Sequence, residues 1–404
     1  MPKLSATNIN ETFDSQVQKS NLWRLALAQA LSGANSVVLY ATGAVVGSTL
    51  APTAILATLP ISIFVLGMAI CVLPAGELAR QYGRQASFMA GTGAGVLTGI
   101  LAAVSLYLDS FWLYSISALF GGAYAAVALS FRFAATDGVP VNKRAQALSM
   151  VMAGGVAAGV IGSQLVTHTM HFWTDKMFAA TFIAQAIVAA IAGIILFGVK
   201  SIKPPRHQPY SGRPLVKIAL QPRFISAVIC GAASYMVMNF LMTSAPLAMH
   251  MHGHSQESAN LGVQWHVIAM YAPSFFTGRL ITRFGAARIS IFGIMLTAIS
   301  ASIGFLGEGV YHFYALLILL GIGWNFGFLG ASALVLETQR SEEKNRAQSF
   351  SDFIVFGLVA IGSFSSGGLL STYGWHTVLW ASFIPLLLAL VILIVTKKYN
   401  RKGM

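Results

Sequence analysis

The chain has 404 residues, 56% of them hydrophobic and only 9% charged, with a mean hydropathy of +0.71. Soluble domains carry roughly 25% charged residues, so this composition excludes an ordinary water-soluble protein. The formal net charge of +13 would suit nucleic acid or an anionic surface, but where the basic residues fall excludes the first.

Apolar runs approach or exceed the ~20 residues that cross a bilayer. They do not alternate with period two, which excludes a barrel and leaves helices. In chain order the spans are expected at 22–46, 52–78, 87–107, 110–134, 145–167 and 177–199, then at 223–248, 259–281, 287–307, 311–335, 347–371 and 376–396. Residues 1–21 read as a disordered cytoplasmic tail without a signal core, and 397–404 as a second tail. The stretch 200–222, with five prolines and five basic residues, reads as a linker between two six-helix bundles, 22–199 and 223–396. Cys71 and Cys230 lie inside apolar runs and read as reduced core residues.

With the amino terminus in the cytoplasm, 24 of the 25 Lys and Arg fall in or beside cytoplasmic segments, and Lys176 alone lies outside. That bias is the positive-inside signal, so the basic charge reports topology and no nucleic-acid partner is implied. The expected site is the bacterial inner membrane, with both termini cytoplasmic.

The chain also repeats itself. Gly76, Leu78, Tyr82 and Gly83 recur as Gly278, Leu280, Phe284 and Gly285, and Arg144-Ala145-Gln146 recurs as Arg346-Ala347-Gln348, all at an offset of 202. Two parallel six-helix repeats are the plan of one large transporter architecture.

The segment Gly76 to Arg84 resembles the G-x-L-A-D-R-x-G-R-K signature of the major facilitator superfamily. Gly76, Leu78, Ala79, Gly83 and Arg84 match, while Arg80 stands at the acidic position and Gln81 at the next basic one. Phe131-Arg132-Phe133 to Asp137, Gln264-Trp265-His266, Gly323-Trp324-Asn325-Phe326 and Ser351-Asp352-Phe353 are similar to a bacterial subgroup that includes a riboflavin transporter. The resemblance implies an all-α membrane protein of twelve transmembrane helices, working as a monomeric secondary transporter by alternating access. Its expected partners are a small organic solute and the bilayer. Export of a siderophore, drug or metabolite is the alternative within transporters, and a non-transporting sensor or assembly factor the alternative in another class. No cofactor, phosphate loop or catalytic cluster is implied, which argues against an enzyme.

The resemblance places the first, fourth, seventh and tenth spans around the cavity, with the fifth, eighth and eleventh beside them. Candidate solute-binding residues are then Asn35, Tyr124, Gln164, Asn239, Gln264, Trp265, His266, Tyr271, Trp324 and Asn325. Rings stack and amides pair with donors and acceptors, which suits a planar solute. The same residues also serve as interhelical bonds. His266 is open to three readings: proton carrier, neutral ligand contact or packing. No carboxylate occupies a midplane. In the signature an acid after the second span faces the eleventh. Here the polarity is expected to be reversed, with Arg80 or Arg84 pairing with Asp352 as a cytoplasmic gate; a helix-capping role for Asp352 is the alternative. His250, His252 and His254 alternate in a turn, a loose metal-binding pattern or a solvated loop. The glycines at 91–95 and 154–162 suit close helix packing.

Overall fold

The computed structural model describes residues 15–53, 56, 59–173, 175–200 and 212–402. The first half contains α1 (Ser15–Leu50), α2 (Leu59–Tyr82), α3 (Arg84–Tyr107), α4 (Phe111–Ala134), α5 (Arg144–Ala153), α6 (Gly155–Thr169) and α7 (Ala179–Phe197). After a short α8 (Leu215–Ala219) come α9 (Pro222–Met251), α10 (Gln256–Tyr271), α11 (Ser274–Phe284), α12 (Ala286–Ile303), α13 (Val310–Thr338) and α14 (Lys344–Lys402). Among the described residues, ten helices are long and apolar enough to cross a membrane.

Several of the twelve expected spans carry breaks. The eighth is split into α10 and α11, because Pro273 lacks the N–H that would continue the ladder. The eleventh and twelfth run together as α14, interrupted at Gly374, whose φ of 78° is non-helical. The fifth is broken between α5 and α6 at Gly154. α1 begins inside the stretch read as a tail, α14 continues to Lys402, and α8 lies inside the expected linker.

Two turns carry the duplication. Gly83 joins α2 to α3 at φ 88°, ψ 160°, and Gly285 joins α11 to α12 at φ 90°, ψ 145°. An L-residue is strained at such φ values, so the two halves have kept glycine at the same joint. Further along, the equivalence slips. Gly278 packs on Ala145 O and Ser149, while Gly76 packs on Asn345 O and Ser349. Relative to the turns, α14 therefore starts two residues earlier than α5 does. The Arg144/Arg346 match at 202 is consequently out of structural register, and Lys344 stands where Arg144 stands.

The interface maps onto itself when the halves are exchanged: α2 packs against α14, and α5 and α6 against α11 and α10. On either side of the linker the chain is fixed to its own half. Asn21 Nδ2 donates to Lys200 O at 2.8 Å and Asn21 Oδ1 accepts from Lys200 N at 3.0 Å. Arg213 donates to Glu343 through its backbone N (2.9 Å), Nε (2.7 Å) and Nη2 (2.6 Å). Those bonds, the Arg213 side chain first among them, hold the Glu343 carboxyl down at about 2.

Candidate functional site

The halves are tied together at the end that carries the basic loops. Arg132, near the end of α4, places Nη2 2.6 Å from Asp352 Oδ1 in α14, and its Nε donates to Ser332 Oγ of α13 at 3.2 Å. The Arg132 and Asp352 side chains are 1% and 5% exposed. The guanidinium lies 4.3 Å from the Phe133 ring centroid and 4.7 Å from that of Phe328. One ring belongs to each half, so the cation is held by a carboxylate and two aromatic faces. A second tie lies beside it. Asp137 accepts from Arg84 Nε at 2.6 Å and from Lys344 Nζ at 3.1 Å, and Arg84 Nη2 reaches Gln348 Oε1 at 3.3 Å. Burial alone would raise the Asp137 carboxyl, but Arg84 and Lys344 outweigh it and hold it below the usual carboxylate range. A third tie is Ser149, which donates to Ser274 O and accepts from Gly278 N at 3.0 Å.

The acid expected to pair across the halves does so, with a different base. Arg80 is paired with Glu77 on its own helix, with Nε to Oε2 at 2.8 Å, and Arg84 with Asp137. Asp352 is paired with Arg132. Asp352 lies more than a turn into α14 and is buried, which places it beyond the helix-start position a capping carboxylate needs. Of the signature residues, Gly76 lets Ser349 approach, Gly83 makes the turn and Leu78 is half-buried.

Above this tie lies an aromatic cluster. Trp324 stacks on Phe328 (5.1 Å, 18°) and meets Tyr235 and Tyr271 edge-on at 5.7 and 5.6 Å. From the first half, Tyr40 donates to Asn239 Oδ1 of α9 at 3.1 Å, and Gly155 leaves room for the Tyr271 ring. Tyr40, Tyr235 and Tyr271 keep accessible surface although they sit mid-span among buried neighbours. Beside Tyr40 a small apolar pocket is lined by Leu39, Gly43, Ile61, Phe64 and Tyr114. Among the described residues Trp324 Nε1 has no hydrogen-bond partner although it is buried, a donor left open beside Tyr235 and Tyr271.

The other candidates are placed elsewhere. Asn325 has its amide filled: Nδ2 donates to Met270 O and Ser274 Oγ at 2.6 Å each, and Oδ1 accepts from Thr277 at 2.7 Å. It clamps the break that Pro273 makes between α10 and α11. Tyr124 accepts from Ser32 at 2.7 Å and wedges against Gly95 inside the first half. Asn35 is buried against α7, where its backbone carbonyl accepts from Gln185 at 3.5 Å. His266 is fully buried with Nδ1 2.7 Å from Leu317 O, so it packs between α10 and α13. Trp265 is 45% exposed and Gln264 half-buried on the same helix, and Gln164 on α6 is exposed. His252 Nδ1 meets Glu308 Oε2 at 3.0 Å and His254 Nε2 meets Glu308 O at 2.7 Å. These contacts fix a loop, and no group of three metal-ligating side chains occurs among the described residues.

Residues 25–273 and 227–403 match the family model described as Major Facilitator Superfamily. The chain belongs to that superfamily. Among curated relatives, it is 44% identical to the riboflavin transporter RfnT of Brucella anthropi over 388 residues, covering 95% of this chain and 98% of that one. It is 29% identical to the uncharacterized MFS-type transporter YdeG of Bacillus subtilis, over 86% of this chain and 85% of that one. Among solved structures, the proton:xylose symporter XylE superposes with a TM-score of 0.75 at 15% identity, over 94% of this chain and 95% of that one. The human organic anion transporter MFSD10 gives 0.74 at 13% identity, over 93% and 99%. These two share the fold with this chain.

The protein is thus a multi-pass membrane transporter of the major facilitator superfamily that moves a small solute. The structure shows it with the halves joined at the basic end. Arg132, Asp137, Ser149, Ser332, Lys344, Tyr40 and Tyr235 are among the members of the interface that the sequence did not single out as a site. Of these, Arg132 and Asp137 left a signal, inside the motif that runs from Phe131 to Asp137.

Proposed function

We propose that this protein imports riboflavin, or a flavin very like it, across the bacterial cytoplasmic membrane by alternating access. The observation that carries the reading is the 44% identity to RfnT across nearly the whole of both chains. The cluster of Tyr40, Asn239, Tyr235, Tyr271 and Trp324 supports it: flat rings stack on a tricyclic ring system, and an amide with phenol hydroxyls pairs with its imide edge. The positive-inside bias puts the basic end and both termini in the cytoplasm. With that orientation, the Arg132–Asp352 and Asp137–Lys344 ties close the cytoplasmic side, and solute enters from the opposite side.

The experiment is growth of a riboflavin auxotroph lacking its own importer, with this protein expressed, on limiting riboflavin, alongside uptake of labelled riboflavin. Growth and uptake above the empty-vector control are expected. Full membrane abundance without either would refute the flavin assignment.

A further inference from the structure

Three arginines at the basic end of the second half lie together on one corner of the molecule. The carboxylates that form ion pairs at that end are taken: Glu77 by Arg80, Asp137 by Arg84 and Lys344, Glu337 by Arg223, Glu343 by Arg213 and Asp352 by Arg132. Arg279 and Arg283 on α11 and Arg288 on α12 are all exposed, and among the described residues no ion pair involves any of them.

Their placement is ordered. Arg279 and Arg283 are four residues apart, so they share one stripe of α11 with ~6 Å of rise between them. Arg288 folds back toward the same end, with Nη1 3.5 Å from Phe284 O, while the Arg283 guanidinium lies 5.2 Å from the Phe284 ring. One turn deeper on that stripe are Phe275 and Phe276, 69% and 48% exposed. The outer surface of this span thus passes from bare phenylalanine to bare arginine toward its basic end, the order in which acyl chains give way to headgroups. At the equivalent corner of the first half, 202 residues earlier, stand Glu77, Gln81 and Ala86, and the nearby Arg80 is neutralised by Glu77. The same backbone turn, at Gly83 and Gly285, carries a compensated corner in one half and an uncompensated one in the other.

We propose that the Arg279, Arg283 and Arg288 corner binds the phosphate headgroup of an anionic phospholipid, whose acyl chains lie on Phe275 and Phe276. An acidic soluble partner would satisfy the arginines and leave the phenylalanines uncovered inside the bilayer, so the lipid is the occupant that fits both. The assignment is independent of the transported solute. A lipid held there anchors the second half at the membrane surface while the first moves against it.

The test is native mass spectrometry of the full-length protein with dioleoyl phosphatidylglycerol or dioleoyl phosphatidylcholine. The wild type is compared with the triple variant Arg279→Gln/Arg283→Gln/Arg288→Gln. A second triple, Lys19→Gln/Lys143→Gln/Lys217→Gln, removes three exposed charges elsewhere. Each arginine near an anionic surface is worth about fivefold in affinity, so the arginine triple should bind phosphatidylglycerol at least about tenfold more weakly. The lysine triple should match the wild type, and the corresponding Arg→Lys triple should keep most of the binding. Thermal unfolding in phosphatidylcholine verifies that each variant is folded. If the arginine triple is not, Arg283→Gln alone carries the comparison. Equal phosphatidylglycerol binding by wild type and arginine triple would overturn the proposal, as would equal binding of the two lipids by the wild type. Full competition by soluble glycerol phosphate would overturn it in favour of a free-phosphate site, and retention of a soluble polyanion such as polyglutamate in place of the lipid would favour a protein partner.

Discussion

Asp352 in α14 and Arg132 in α4 form a buried ion pair, 2.6 Å long, between the two halves of the transporter. Its members are separated by 220 residues of sequence and must part whenever the basic end opens. Removing one partner of a buried pair leaves an uncompensated charge, at a cost of about 3–5 kcal/mol. Asp352→Asn should therefore destabilise the closed basic end and shift the population toward the state open there. Arg132→Asp and Asp352→Arg should each lower transport, and the double exchange should recover part of it. Distances between spin labels on the two halves measure the shift; strictly additive losses in the exchange would remove the pair from the gate.

The aromatic cluster makes a sharper set of expectations than the sequence did. Trp324→Ala and Tyr271→Ala should lower uptake at unchanged membrane abundance, since their rings form the cluster proposed to hold the flavin. Trp265→Ala should be nearly silent, because that indole is 45% exposed and takes no part in the ring contacts of the cluster. Asn325→Ala should act on folding, leaving the carbonyl of Met270 and the hydroxyls of Ser274 and Thr277 without their partner, at about 1–3 kcal/mol for each buried group orphaned. Uptake normalised to abundance, together with a melting curve, separates the two effects.

Discrimination by charge follows from the same geometry. The cation beside the cluster, Arg132, is already neutralised by Asp352. Riboflavin should accordingly compete for uptake of labelled riboflavin far better than its 5′-phosphate, by about 100-fold if the phosphate has to enter without a counter-ion. Equal competition by the two flavins would show that a cation is available to the solute.

Glu343 supplies a pH dependence. Its folded-state value of about 2 lies below the ordinary 4.5 because Arg213 and the backbone of Arg340 bond its ionised form. A depressed carboxyl contributes stability fully above its unfolded value, and that contribution fades as pH falls from there through about 2. The melting temperature of the wild type should exceed that of Glu343→Gln at pH 6, and the gap should close between about pH 4 and pH 2. A gap that stays constant over this range would mean that the Arg213 contact does not depend on ionisation.

The architecture was largely legible in the sequence, because bilayer-spanning runs, loop charge and a repeated glycine turn are each local signals. Asp352 was legible for a related reason: a carboxylate near the start of an apolar helix is rare enough to stand out. Its partner was not. Arg132 is hidden at the end of an apolar run, and periodicity alone does not say which of several arginines a distant helix will face. Asn325 shows the opposite failure. An amide at mid-span looks like a ligand contact, and its actual work depends on the break at Pro273, in a helix far away in sequence. The two-residue slip between α5 and α14 was invisible because the Arg-Ala-Gln match agreed by chance with the offset of the glycine turns.

The Arg132 guanidinium lies between Phe133 of the first half and Phe328 of the second, and Phe328 in turn stacks on Trp324. When the halves separate, the cation must leave one of these rings, and its bond to Ser332 and its ion pair with Asp352, both in the second half, break with that parting. Phe133 is its immediate neighbour in sequence, so the cation departs with the first half and Phe328 is left uncovered. The indole one stacking step away then sees a different local field. Gate opening is therefore written into the intrinsic fluorescence of the protein: emission from Trp324, isolated as the difference between wild type and Trp324→Phe, shifts as the transporter turns over and needs no attached dye.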